Sequence, residues 1–172
     1  GTQLPPPQVH PPVVTETIQT PAPELTTGST FAGRYQVIEE LGQGGMGRVY
    51  KVFDIETNEK VALKLVKPEF SADPKIVERF RNELRTARKI VHKNVCRLFD
   101  LGKDRTGYYI TMEFIPGQDL KGLIRQTGQL TVSKALSIGK QICEGLTEAH
   151  GLGVVHRDLK PGNIMIDQSG QA

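Results

Sequence analysis

A polar segment bounded on both sides by apolar residues constrains the fold of this chain more than any other feature. It spans residues 153–166 and reads Gly-Val-Val-His-Arg-Asp-Leu-Lys-Pro-Gly-Asn-Ile-Met-Ile. The apolar residues at each end predict buried backbone, so the polar residues between them are expected to form a fixed loop that displays charge.

The side chains of this loop suit the chemistry of phosphoryl transfer. Asp158 offers a carboxylate that can accept a hydroxyl proton, Lys160 offers an ammonium group for a phosphate, and Asn163 offers a carboxamide oxygen for a hard cation. Mg²⁺ prefers oxygen ligands, and phosphoryl transfer depends mainly on positioning and charge neutralisation. The loop therefore contains the parts of a phosphotransfer site.

The His-Arg-Asp-Leu-Lys motif at residues 156–160, with Asn163 after it, resembles the catalytic loop of the eukaryotic-type protein kinases. The resemblance implies that Asp158 is the catalytic base and that Asn163 holds Mg²⁺. Lys160 is the form found in serine/threonine kinases. The resemblance further implies ATP and Mg²⁺ as cofactors, protein substrates with Ser or Thr acceptors, self-phosphorylation and a role in signalling.

A glycine-rich motif at residues 42–47 reads Gly-Gln-Gly-Gly-Met-Gly and precedes Val49. Dinucleotide-binding folds use a similar pattern, but there a helix follows the last glycine. Here β-branched and aromatic residues follow at strand spacing, which excludes that interpretation. The kinase resemblance implies instead a hairpin that closes over phosphates, with Lys64 on the third strand.

Residues 112–117 end the predicted sheet and resemble the kinase hinge. The resemblance implies that the Glu113 carbonyl and the Ile115 amide bind adenine, with Met112 at the back of the pocket and Met165 against the ring. The full set of nucleotide-binding residues implied in this way is Leu41, Gly42, Gln43, Gly44, Gly45, Met46, Gly47, Val49, Ala62, Lys64, Met112, Glu113, Ile115 and Met165.

A helix is predicted over residues 73–91, where an Asp-Pro pair supplies the start signal. Glu83 falls on the apolar stripe of this helix, and a carboxylate in that position needs a cationic partner. The resemblance implies that the partner is Lys64, which joins both residues to the catalytic set. A surface pair with Arg79 or Lys89 is the alternative.

These motifs predict an α+β, protein-kinase-like fold: a small antiparallel β-sheet lobe with one long helix, followed by the start of a mainly helical lobe. Residues 1–33 are rich in proline and are expected to form a disordered tail or linker. Residues 34–172 are expected to be a partial kinase domain, with the first lobe at 34–116 and the second from 117. No Asp-Phe-Gly segment follows residue 163, so the chain is expected to be inactive alone.

Composition narrows the functional class. The net charge is +3, and acidic and basic residues are interspersed, so nucleic-acid binding is not expected. There is no apolar run of about eighteen residues to cross a membrane, and no export signal, so a cytoplasmic location is expected. Cys96 and Cys143 each lie in an apolar segment and are expected to be small buried residues in a reducing compartment.

Two other functions remain open. A pseudokinase or nucleotide-binding scaffold would carry the same motifs if the principal Mg²⁺ ligand were absent from the whole protein. A kinase of small molecules would have a similar loop, but Lys160 and the full glycine motif disfavour it.

Overall fold

The first lobe is a curled antiparallel sheet. The computed structural model describes residues 24–44, 47–67 and 74–172. Six strands pair in the order β1-β2-β3-β4-β6-β5, so that β6 lies beside β4 and β5 forms an edge. The strands are β1 (Thr30–Phe31), β2 (Tyr35–Gly44), β3 (Gly47–Asp54), β4 (Glu59–Val66), β5 (Leu98–Asp104) and β6 (Gly107–Glu113).

One helix accompanies the sheet and two follow it, as predicted. Asp119 and Thr131 cap the two later helices, and each side chain accepts a hydrogen bond from a backbone amide of the first turn. A second, two-stranded sheet pairs β7 with β8. The remaining elements are α1 (Pro74–Ala87), β7 (Gly117–Asp119), α2 (Leu120–Thr127), α3 (Val132–Gly151) and β8 (Met165–Asp167).

Strand alternation gives the sheet one buried face. Tyr50 and Val52 of β3 and Leu63 of β4 are almost completely buried there, because successive residues of a strand point to opposite faces. Partly buried Phe99 and Tyr109 pack against them from β5 and β6. The opposite face is left to carry the functional side chains.

The folded region begins before the predicted boundary at residue 34. Phe31 is buried in the core of the sheet, and Leu25 packs against the same cluster. The pairing of β1 with β2 adds backbone hydrogen bonds in this region. Residues 24–33 are therefore part of the folded lobe, whereas the predicted tail over residues 1–23 lies outside the described residues.

Helix α3 buries one face and exposes the other. Ile138 and Ala149 are buried, and Gly145 lies on the same face, where a Cβ would be 2.7 Å from the Asn94 carbonyl oxygen. Cys143 lies on the other face. The prediction that both cysteines are buried is wrong, since Cys96 and Cys143 are exposed, free thiols.

In the described part of the chain, no helix is both long enough and apolar enough to span a membrane.

An ion pair joins the start of β2 to the end of β3, and it predicts that the stability of the fold depends on pH. Arg34 donates two hydrogen bonds of 2.7 Å to the buried Asp54 carboxylate, which lowers the pKa of Asp54. A carboxyl with a lower pKa in the folded state stabilises the fold at neutral pH, and this contribution is lost as pH falls below about 3.9.

We therefore expect Asp54→Asn to reduce the loss of stability between neutral pH and about pH 3. The free energy of unfolding, measured by urea titration at several pH values, should show a shallower acid slope than in the unmodified chain. Asp104→Asn, at the end of β5, is the control and should keep the original slope. An unchanged slope in Asp54→Asn would contradict the prediction.

Candidate active site

Four of the predicted nucleotide-binding residues lie on one face of the sheet. Val49 pairs directly with Lys64 across β3 and β4, and Ala62 pairs with Met112 across β4 and β6. Directly paired residues of antiparallel strands share a face, and so do residues two apart on one strand. All four side chains are therefore on the face opposite Tyr50.

The glycine motif forms the end of the hairpin between β2 and β3. Gly44 pairs with Gly47, and Gly42 pairs with Val49. Gly47 has φ of 148°, and a Cβ at this position would lie 1.7 Å from the Leu65 carbonyl oxygen. Glycine is therefore required where the hairpin meets β4. Of the remaining motif residues, Leu41 and Gln43 are exposed on β2, and Gly45 and Met46 lie outside the described residues.

The catalytic-loop residues converge on the Asp158 carboxylate. Lys160 Nζ lies 2.9 Å from Asp158 Oδ2, and the Asn163 amide donates to the same oxygen at 3.0 Å and to the Asp158 carbonyl at 2.8 Å. These hydrogen bonds lower the pKa of Asp158 below its ordinary value, Lys160 having the largest effect and Asn163 the next. The carboxylate is thus ionised at neutral pH and ready to accept a hydrogen bond.

The loop charges act on the sheet lysine. Burial lowers the pKa of the Lys64 ammonium, the Asp158 carboxylate raises it, and the Lys160 ammonium lowers it further. Lys64 belongs to β4 and Asp158 to the loop after α3, so 94 positions of sequence separate two groups that interact electrostatically. The folded chain brings these two predicted catalytic residues to one site.

Two short strands anchor the C-terminal end of the polar loop. The backbone amide of Leu120 donates to the Ile164 carbonyl at 2.8 Å, and Gly117 pairs with Asp167 where β7 meets β8. A Cβ at Gly117 would lie 2.1 Å from the Ile166 carbonyl oxygen, so the strands approach closely at this point. These contacts tie the segment after the loop to the segment after the hinge.

A cavity of about 460 Å³ opens between the hinge and the second lobe. Its lining includes Glu113 and Ile115 of the hinge together with Asn163 and Met165. Val49, Ala62 and Lys64 lie outside its lining, on the sheet face described above. Among the predicted nucleotide-binding residues, Glu113, Ile115 and Met165 thus line the cavity, whereas Met112 lies on the sheet face with Val49, Ala62 and Lys64.

Glu83 has a partner that was not predicted from the sequence. Its carboxylate accepts a hydrogen bond of 3.2 Å from Arg157 Nη1, across 74 positions of sequence. Arg157 has φ of 63°, a left-handed conformation that is unusual for a residue with a side chain. Both groups are more than half exposed, so the pair contributes little to stability. The pairing of Glu83 with Lys64 stays a prediction.

Most of the chain is similar to known protein kinases. Residues 35–172 match the protein kinase domain family. The chain is 39% identical over 146 residues to the serine/threonine-protein kinase PrkC of Bacillus subtilis and 38% identical over 149 residues to PknA of Mycobacterium tuberculosis. It also resembles the crystal structure of the Mycobacterium tuberculosis PknI kinase domain, with a TM-score of 0.74 and 31% identity.

The chain corresponds to only part of these relatives. The matches cover 85% of this chain and 22% of PrkC, and 84% of this chain and 35% of PknA. The structural match covers 86% of this chain and 60% of the PknI kinase domain. The predicted kinase fold is confirmed: the chain belongs to the protein kinase domain family, as the N-terminal part of a bacterial eukaryotic-type serine/threonine kinase catalytic domain.

Proposed function

We propose that this chain is part of an ATP-dependent protein kinase that transfers the γ-phosphoryl group to Ser and Thr hydroxyls of proteins, itself among them. The observation that carries the proposal is the cluster in which Lys160 Nζ and the Asn163 amide both contact the Asp158 carboxylate. Phosphoryl transfer needs a cation near the phosphates and a carboxylate near the acceptor hydroxyl, and this cluster contains both kinds of group.

Each residue has a separate part in the proposed reaction. Asp158 accepts a hydrogen bond from the acceptor hydroxyl and takes its proton as the oxygen attacks the γ-phosphorus of ATP, whose bond to the bridging oxygen breaks to release ADP. Lys64 neutralises charge on the phosphates, and the glycine hairpin contributes backbone amides at a distance that side chains would prevent. Lys160, beside Asp158, is positioned to stabilise the transferred group.

The oxygen donors beside Asp158 suit Mg²⁺, which neutralises phosphate charge when bound. Among the described residues, no group of three or more His, Cys, Asp or Glu side chains could hold a metal alone. Asp158 and Asn163 instead bring one carboxylate and one amide together. Mg²⁺ is commonly held by one or two protein groups plus phosphates and water, so this donor set fits a metal that arrives with the nucleotide. We assign Asn163 as its protein ligand.

The match to the PknI kinase domain covers 86% of this chain but only 60% of that domain. We propose that the chain alone does not transfer phosphate and that activity belongs to the complete domain. We further propose that the protein acts in the cytoplasm, where ATP is available.

Lys64→Met tests the proposed function. In a protein that carries the complete domain, we expect phosphate transfer from ATP to casein or to the kinase itself to fall about 10²-fold, because a phosphate-neutralising cation is lost. Transfer is measured with γ-labelled ATP, followed by identification of the labelled amino acid.

Lys60→Met is the matched control, since Lys60 lies on the same strand and is exposed. It should leave transfer unchanged. Label on Tyr or on a small alcohol, or full activity in Lys64→Met, would contradict the proposal. Nucleotide binding without any transfer by the complete domain would favour a scaffold instead.

A further inference from the structure

The segment that precedes the family match is packed onto the sheet. The match begins at residue 35, yet residues 24–31, which we name the strap, already contact the lobe. Leu25 and Phe31 are its two apolar anchors, and the Phe31 ring meets the Tyr109 ring edge-on at 5.1 Å. The strap lies on the face opposite Lys64, away from the candidate active site.

The hairpin beneath the strap contains two irregularities. The register between β2 and β3 shifts once between Val37 and Glu39 and again between Glu40 and Gly42. Such bulges leave a residue unpaired and bend the strand at that point. The glycine end of the hairpin lies beyond both shifts, so its angle to the sheet is set at these two places.

The strap has contacts on both sides of the first bulge. On the near side, the Gly28 amide donates to the Val37 carbonyl at 2.8 Å and the Val37 amide donates to the Ser29 carbonyl at 2.9 Å. Between the two bulges, the Leu25 amide donates to the hydroxyl of Tyr50, which pairs with Glu40, at 3.1 Å. The strap therefore links the two parts of the hairpin that the first bulge separates.

An ion-pair network continues toward the glycine end. Arg48, which pairs with Gln43 beyond the second bulge, lies 2.9 Å from the Glu40 carboxylate and 3.7 Å from that of Glu24. Glu24 is largely exposed, so its ion pair with Arg48 contributes little to stability. The strap is therefore held to the hairpin mainly by the hydrogen bond from Leu25 to Tyr50.

We propose that the strap is a built-in brace that fixes the angle of the glycine hairpin by bridging its first bulge from the face of the sheet opposite Lys64. Its release frees the glycine end without unfolding the lobe. An effect of the strap on phosphate binding by the hairpin rests on the proposed function, whereas the bracing of the hairpin by the strap does not.

Hydrogen exchange of the chain tests the brace without nucleotide. In Leu25→Ala, we expect amides at residues 39–44 and 47–51 to exchange about ten times faster, because the outer hairpin opens locally. Amides in β5 and β6 should keep their original rates. Ile55→Ala is the control, since Ile55 is a half-exposed apolar residue at the turn after β3, and it should change neither group.

Tyr50→Phe keeps the ring and removes only the hydroxyl that accepts from Leu25. We expect it to reproduce the pattern with a two- to threefold increase in rate, and it carries the test if Leu25→Ala does not fold. An unchanged hairpin in Tyr50→Phe, or equal acceleration in hairpin and β5–β6 amides, would overturn the proposal. Because no nucleotide is present, such a failure is distinct from failure of the proposed kinase function.

Discussion

Asp158→Asn in a complete kinase domain is expected to lower phosphate transfer about 10³-fold, the largest effect that this structure predicts. The amide has nearly the shape of the carboxylate, so the loop can keep the Asn163 bond to the backbone carbonyl of residue 158. It cannot take the hydroxyl proton, and it removes the negative charge that now faces Lys160 and Lys64. Initial rates with a protein substrate, measured at saturating ATP, give the result.

Two comparisons make the Asp158 result specific. Asp104→Asn removes a carboxylate from the end of β5 and should leave the rate unchanged. Nucleotide affinity of Asp158→Asn, measured by calorimetry, should change much less than the rate, since the proposed role is in proton transfer. A variant that retains a tenth or more of the rate would contradict the assignment of Asp158 as the base.

Gly47→Ala is expected to destabilise the folded chain by about 3 kcal/mol or more. The added Cβ would lie 1.7 Å from the Leu65 carbonyl oxygen, and φ of 148° is unfavourable for any residue with a side chain. Backbone forms the obstacle, so no rotamer change can relieve it. Urea unfolding, with the free energy extrapolated to water, measures the loss.

Gly44→Ala is the matched control within the same motif. Gly44 pairs with Gly47, but a Cβ on it would meet no atom within 4 Å. We therefore expect a change of less than about 1 kcal/mol. Equal losses in the two variants would show that flexibility of the motif, rather than close approach to β4, explains why residue 47 is glycine.

Local signals predicted most of the secondary structure correctly. Asp119 and Thr131 cap α2 and α3, and such caps are local signals because a side chain that satisfies a free amide acts within one turn of itself. The β-branched residues after the glycine motif identified β3 for a similar local reason. Helix α1 ends at Ala87 rather than near residue 91. After Ala87 the backbone forms tighter turns, with hydrogen bonds from Lys89 to Thr86 and from Ile90 to Ala87.

The start of the lobe was misplaced because its signal is not local. Leu25 and Phe31 are separated by Thr, Gly and Ser, which resemble the preceding tail in composition. Their packing depends on a side-chain cluster that forms only when β2, β3, β4 and β6 assemble into one sheet. No window of sequence around residue 25 contains that information.

The partner of Glu83 shows the same limit in the site. Helical spacing indicated that Glu83 needed a cation, but it could not say which of the distant cations would be within reach. The backbone of Arg157 is left-handed, which sets the direction of the loop at this residue. Only folding brings the Arg157 guanidinium close to Glu83 on α1.

The sequence by itself determined the element types, the glycine hairpin and the set of groups suited to phosphoryl transfer, because propensity, capping and side-chain chemistry act over a few residues. Tertiary structure alone decided that Lys64 interacts with Asp158, that Glu83 pairs with Arg157 and that residues 24–31 lie on the sheet. These contacts join residues far apart in the chain, and their formation depends on the packing of the whole lobe.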